Sequence, residues 1–351
     1  MTTIGTGKGF AALLNGRARK VTPAVVRAFT KALPEATLYV SEDLEQARRH
    51  VRSLIAQRPE VVFSGGGDGA AMRILNLWRE EGGGAFPTIA VLRLGTGNGW
   101  GRVMGAPEFF PHVKKLHLCP RALPTQQFDL VEVEGQLGHF AGVGWDARVI
   151  NDYLRNLDKR SSQMVGSSFA SWLHKGVRGY LYSIARITVP EEYALLRDQG
   201  QATVTVENQG NVVYGLDAAG ALVELHHPSG SGPMHQLYEG PLSVGAAATT
   251  PEWGYGFKAF PFARAKSGFI NVRVYDQPVL KAVRNVVGLW QGRYPTPGMH
   301  DWFTTQVKMR FSRPMPFQIG GDGLGQRQEI VMRVAKESVN VVDWRAALAG
   351  T

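Results

Sequence analysis

The chain is almost without cysteine: Cys119 is the single one in 351 residues. That excludes an intrachain disulfide and any zinc cluster built on thiolates. Long apolar runs are missing as well. No uninterrupted segment is long enough to cross a bilayer as a helix, and the stretch Phe10 to Leu14 fits a first strand rather than the h-region of a secretory signal. Acidic residues are in deficit, 29 Asp+Glu against 39 Lys+Arg, for a net charge of +10. The basic residues are scattered rather than blocked. With no helix-turn-helix, zinc-finger spacing or RNA-recognition signature beside them, nucleic acid is not an expected partner. Nucleotide phosphates or an anionic membrane surface suit the charge better. The nine histidines show no His-x-x-x-His spacing with an adjacent acid, and His226-His227 lies beside a loop. Ser64 and Ser243 lack a nucleophile elbow. Gly5-Thr6-Gly7-Lys8 lacks the spacer of a P-loop. There are no internal repeats. An apolar content of 44% and a charged content of 19% describe a globular, soluble chain with room for two domains. Its expected location is the cytoplasm, with peripheral contact at a membrane.

Glycine, by contrast, is abundant, at 42 residues, and its placement carries the most information. Val61-Val62-Phe63-Ser64 reads as a buried strand that ends in Gly65-Gly66-Gly67-Asp68-Gly69. Ala71, Ile74, Leu75 and Trp78 then recur at helical spacing. Glycines let the backbone approach a ligand, and the following helix offers free N–H groups and a positive dipole end. That is a phosphate cradle. The carboxylate inside it suits a metal-bound triphosphate or a hydroxyl proton better than a bare phosphate. Thr88 to Leu92 repeats the logic as a strand leading into Leu94-Gly95-Thr96-Gly97-Asn98-Gly99. Neighbouring parallel strands would place both turns on one sheet edge, where open α/β sheets bind ligands.

The first part alternates strand and helix: Phe10 to Leu14, a helix capped by Thr22-Pro23 through about Leu33, Leu38 to Val40, and a helix capped by Ser41 and ended by Pro59. This predicts a parallel sheet covered by helices. The texture changes near residues 119–124. Beyond it, Phe128 to Val133, Ala202 to Glu207, Leu222 to Leu225 and Phe269 to Tyr275 read as short alternating strands, with helices from Asp146 to about Leu157 and from Lys281 to about Trp290. The expected second domain is mostly antiparallel, a β-sandwich with inserted helices. Trp172, Tyr180 and Tyr182 near Lys175 and Arg178 suggest an aromatic–basic helix, either at a membrane interface or in the core.

Gly66-Gly67-Asp68-Gly69 followed by Leu94-Gly95-Thr96-Gly97-Asn98 resembles the catalytic domain shared by diacylglycerol kinases, sphingosine kinases and bacterial lipid kinases, a group distantly similar to NAD kinase and phosphofructokinase. Leu13-Leu14-Asn15-Gly16, Gly142 through Asp146-Ala147, Leu237-Tyr238-Glu239-Gly240, Thr250-Pro251 through Gly254-Tyr255-Gly256-Phe257, and Gly321-Asp322-Gly323 are similar to its further motifs. Leu94 to Asn98 and the second-domain matches favour this group over NAD kinase itself. The chain also departs from the pattern. Ala70 replaces a Thr, Arg73 an acid, Arg93 a Pro and Gly99 an Asp. Ser267-Gly268 stands where bacterial members have Asp-Gly, and Leu324 replaces the Glu of the Asp-Gly-Glu motif. Leucine neither takes a proton nor binds Mg²⁺. Either Asp68 or Asp322 does that work, or this member has lost the reaction and is a nucleotide or lipid sensor.

The resemblance implies an NAD kinase-like α/β domain over residues 1–124, an acceptor domain over 125–328, and a segment, 329–351, returning toward the first. It implies ATP and Mg²⁺ as cofactors and phosphorylation of a lipid hydroxyl in a cleft between the domains. Gly65, Gly66, Gly67 and Gly69 would cradle phosphates, and Gly95, Thr96, Gly97 and Asn98 would close the other side. Asn15 would lie near the ribose or phosphates and Arg102 would partner a phosphate. Asp68 is the first catalytic candidate and Asp322 the second. Asp146 is either a functional acid or a helix cap. Tyr255, Phe257, Phe260 and Phe262 would line the acceptor pocket.

Overall fold

The computed structural model describes residues 9–95, 97–113, 116, 123–148, 189–230, 232–254, 256–278, 281 and 286–349. Several sequence expectations lie outside these residues: the Gly5–Lys8 segment, Thr96, Cys119, the helix beyond Arg148, the aromatic–basic stretch around Trp172, and Tyr255. Two compact units divide the chain. One comprises Met1–Leu130, Glu252–Gly256 and Ala335–Thr351, the other Val131–Pro251 and Phe257–Val334.

In the first unit β1 (Phe10–Asn15), α1 (Pro23–Ala32), β2 (Thr37–Ser41), α2 (Leu44–Gln57), β3 (Val61–Gly65), α3 (Asp68–Glu80) and β4 (Thr88–Leu92) alternate as predicted. The short helices α4 (Gly99–Val103) and α5 (Phe109–Val113) and the strand β5 (Thr125–Phe128) follow. β3 and β4 are buried at every position, as parallel strands covered on both faces must be. Thr22 caps α1 by accepting from the Val25 N–H, with Pro23 in the first turn. The cap of α2 differs from the expected Ser41. Asp43 holds that place, accepting from the Gln46 N–H, while Ser41 ends β2 with its hydroxyl on the Leu14 carbonyl. A carboxylate at that position gains from the helix dipole as well as the hydrogen bond.

The second unit contains β6 (Val131–Val133), β7 (Gln136–Gly138), β8 (Phe140–Gly144), α6 (Val189–Gln199), β9 (Ala202–Asn208), β10 (Val213–Leu216), β11 (Leu222–Glu224), β12 (Gln236–Leu242), β13 (Val244–Ala248), β14 (Ile270–Tyr275), α7 (Val286–Gln291), β15 (Met299–Thr304), β16 (Gln306–Ile319) and β17 (Asp322–Val334). Its sheet runs β11-β10-β15-β14-β13-β8-β16-β17-β6-β7, with β9 and β12 attached beside β16. All these pairings are antiparallel. β16 explains the shape. Its first half, Val307 to Phe311, pairs with β9, and after a register shift near Pro314 its end, Phe317 to Ile319, pairs with β8. A long strand that bends at prolines and changes partner turns the corner of a sandwich. One buried cluster accordingly joins Val204 and Val206 of the β9 arm with Val272 and Val274 of the β14 arm.

The last strand, β18 (Val339–Val342), and α8 (Trp344–Leu348) belong to the first unit. The six-stranded order there is β2-β1-β3-β4-β18-β5, parallel except for the β18–β5 pair. Trp344 is buried and donates its indole N–H to the Val91 carbonyl. Phe63 packs edge-on between Phe10 and Phe29. Because the chain leaves β1 toward β2 on one side and returns to β3 on the other, the strand order reverses between β1 and β3. That is a topological switch point. In register, Leu14 lies beside Gly65 and Gly65 beside Leu92, so the turns after all three strands share one edge. Among the described residues no helix is long and apolar enough to cross a membrane.

Candidate functional site

At that shared edge three glycine turns meet. Gly66 and Gly67 have φ of 139° and 90°, a backbone region that L side chains rarely adopt. They bring the chain against the second turn with no space for side chains. A Cβ on Gly95 would lie 2.4 Å from Gly67 Cα and 2.7 Å from the Gly66 carbonyl oxygen, and a Cβ on Gly66 would meet Asn15 Cβ at 2.8 Å. The third turn comes from far along the chain: Gly254 (φ 132°) would carry its Cβ 3.3 Å from Gly97 Cα. Gly69, already inside α3, faces open space. Gly254 is not among the residues that the resemblance places at the phosphates, although its segment is similar to a family motif. Its Gly-Tyr-Gly spacing was the available signal.

Two polar side chains lock the turns together. Asp68 is buried, and its carboxylate accepts from the Gly99 N–H at 2.6 Å and the Trp100 N–H at 3.0 Å. It therefore joins the start of α3 to the start of α4, accepting the first N–H groups of α4 from the first turn of α3. Each carboxylate oxygen keeps a further lone pair. Asn98 sits in the left-handed region (φ 49°), and its amide folds back on its own loop. It accepts from the Gly95 N–H at 3.0 Å and donates to the Gly95 carbonyl at 2.7 Å. Asn15 closes the β1 turn by accepting from the Arg17 N–H. The departure at Gly99 has a steric basis, since a Cβ there would lie 3.1 Å from the Glu252 carbonyl oxygen.

Four arginines give this unit its positive field. Arg17, Arg19, Arg73 and Arg102 are exposed, and none pairs with a carboxylate among the described residues. Arg17 and Arg19 follow β1 at the switch point. Arg102 ends α4, its Nη1 3.7 Å from a Cβ placed on Gly256. Arg73, where the resemblance expects an acid, lines a small recess with Asn15, Ser41 and Ala70. Among the described residues no group of three or more His, Cys, Asp or Glu side chains is placed to hold a metal ion. The turns fit a phosphate chain, because backbone is exposed where side chains are excluded. They fit Mg²⁺ only as an ion carried by phosphates and reached through water, its usual habit.

Residues 12–133 match the family model of the diacylglycerol kinase catalytic domain. Over those residues, about a third of the chain, the sequence is similar to that family. No curated protein sequence matches the chain. Among solved structures, a candidate diacylglycerol kinase from Bacillus anthracis str. Sterne superposes with a TM-score of 0.63 at 13% identity, covering 97% of each chain. A second structure described in the same way gives 0.60 at 12%, covering 97% of this chain and 99% of that one. At such identity the likeness is one of fold, and it extends over nearly the whole chain.

The second unit holds the later motif residues. Asp322 is exposed at the start of β17, just past the Gly320-Gly321 turn that joins it to Ile319. Leu324 packs on the apolar core, so the position where a Glu is expected serves packing here. Asp146 is buried. Its Oδ2 accepts from Gln318 Nε2 at 2.9 Å, and the same Gln318 accepts through Oε1 from the Gly321 N–H. Among the described residues Asp146 Oδ1 has no partner. Burial pushes its carboxyl up to about 7, opposed in part by the Gln318 hydrogen bond. Gly142 is glycine because a Cβ would strike Asp146 Oδ2. Nothing in the sequence pattern marks Gln318, whose role depends on Asp146, 172 positions away. The aromatics expected to line one pocket disperse: Phe260 is core, Phe262 meets Tyr294, and Phe257 stacks on Trp290.

Proposed function

We propose that this chain is an ATP-dependent lipid kinase, transferring the γ-phosphate to a hydroxyl of a diacylglycerol-, sphingosine- or related lipid-like acceptor at the cytoplasmic side of a membrane. The observation that carries the reading is the backbone contact between two glycine turns at the switch point, in a unit with four exposed arginines that have no carboxylate partner among the described residues. Backbone N–H groups of Gly65, Gly66, Gly67 and Gly69 would cradle one side of the phosphate chain, and Gly95 and Gly97 would close the other. Asn98 holds the second turn in shape and Asn15 the first. Arg102 neutralises phosphate charge. Mg²⁺, when bound, supplies charge neutralisation at the transferring phosphoryl group. Asp68 keeps the two turns in register and uses its remaining lone pairs to orient the acceptor hydroxyl or a metal-bound water. Asp322 is the second acid. Phosphoryl transfer asks chiefly for positioning and charge, so one fixed carboxylate suffices for the role lost at Leu324.

A second reading, nucleotide binding without turnover, draws support from Leu324 in the core and from the hydrogen bonds already held by Asp68. Transfer of labelled γ-phosphate from ATP·Mg²⁺ into a total lipid extract separates them, with wild type and Asp68→Asn side by side. A labelled lipid that requires Asp68 supports the kinase. ATP binding with no labelled product on any lipid contradicts it and leaves the sensor.

A further inference from the structure

We infer that the second unit docks on an anionic phospholipid surface through a patch built from Phe257, Lys258, Val287, Trp290 and Arg293. α7 is almost wholly apolar, with the sequence Val-Val-Gly-Leu-Trp-Gln, yet it turns apolar side chains to solvent. Val287 is 62% exposed, the most of any large apolar side chain among the described residues, and Trp290 is 36% exposed. Phe257, half-buried, stacks on the exposed Trp290 with ring centres 5.4 Å apart, so the apolar surface at α7 is wider than one side chain. The patch is also held in place. The Lys258 N–H donates to the Trp290 carbonyl at 3.1 Å and the Arg293 N–H to the Gly288 carbonyl at 3.0 Å, which fixes the backbone of both basic residues against α7 and its C-terminal end.

Charge selects the occupant. Between Phe257 and Gly298 the chain has seven Lys and Arg residues and one acid, Asp276. Asp276 bonds His300 at 2.9 Å, and Asp217, next to Tyr294, spends its carboxylate on the N–H groups of Ala219 and Ala221. Lys258 and Arg293 are exposed, with no carboxylate partner among the described residues. A symmetric contact with a second copy would set these cations against themselves. Anionic headgroups complement them, and Trp beside cations is the residue set of a bilayer interface. The proposal deepens the lipid-acceptor reading, on which it rests, by naming where the bilayer is met.

Sedimentation of the full chain with phosphatidylcholine vesicles, and with vesicles also containing phosphatidylglycerol, tests this without any phosphoryl transfer. The wild type should partition onto the anionic vesicles only, and less at high salt. Replacing Lys258 and Arg293 by Gln should weaken that partition about 30-fold, at ~1 kcal/mol for each cation. Val287→Ser with Trp290→Ser should weaken it further. The two cation substitutions are at the surface and keep the test valid if the apolar pair unfolds. ATP titration of each protein reports separately on the first unit, so a failed kinase with intact vesicle binding counts against the function and not against the patch. Equal binding to neutral and anionic vesicles, no binding, or unchanged binding by the Gln variant overturns the proposal. So does a dimer that Val287→Asp converts to monomer, since a second copy would then occupy the patch.

Discussion

Two buried aspartates, each beside a glycine turn, have opposite surroundings. Asp68 in the first unit accepts two backbone N–H groups and binds two helix starts together. Asp146 in the second has one amide partner and an oxygen with none among the described residues, and burial raises its carboxyl to about 7. Residue type and a neighbouring glycine are the same in both. The difference lies in the donors each carboxylate meets: two backbone N–H groups for Asp68, one side-chain amide for Asp146. Asp68 ties the starts of two helices together through its carboxylate. Asp146 favours its protonated form near neutrality, and so gives the second unit a pH-dependent stability.

The largest expected effect tests that contrast. Below about pH 4 Asp146 is protonated both folded and unfolded. Between there and about pH 7 the folded state holds the proton and the unfolded state releases it, so stability falls as pH rises. The full loss is on the order of 4 kcal/mol. Asp146→Asn should remove this slope in denaturant titrations from pH 4 to 8. An unchanged slope would mean that Asp146 is better solvated than its burial implies.

Next in size are the glycines of the first unit. Gly95→Ala forces a Cβ into the Gly66-Gly67 backbone and should cost about 1–3 kcal/mol, with loss of nucleotide binding. Asp68→Asn leaves one N–H facing an amide N–H and should cost about 1–2 kcal/mol, read as a lower midpoint in chemical unfolding. Gly69→Ala sharpens the comparison in the other direction. Its Cβ meets nothing within 4 Å and α3 gains a better helix former, so stability should rise by about 0.5–1 kcal/mol. The smallest effect on folding is expected from Arg102→Ala. Thermal midpoint should not move, while ATP affinity falls and becomes less dependent on salt.

Much of this was legible in the sequence. β1 to β4 and their helices announce themselves by apolar periodicity, and the turns by glycines that only a close backbone approach requires. The antiparallel character of the second unit was legible too, from short alternating segments between turn residues. What could not be read were relations between distant backbone atoms. Asp68 meets N–H groups 31 and 32 positions away, and Gly254 joins the site from beyond the second unit's first strands. The α2 cap went to Asp43 because Ser41 was needed by β2. The bend of β16 at Pro314 and the Asp146–Gln318–Gly321 chain depend on pairing register, which no local pattern encodes.

The measurement that bears most directly on the account is calorimetric titration of ATP·Mg²⁺ into the wild type, Gly69→Ala and Gly95→Ala, each checked for folding. The paired glycine turns as a phosphate cradle predict one site in the wild type, retained in Gly69→Ala and abolished in Gly95→Ala. Equal binding by all three folded proteins, or by none, would contradict it.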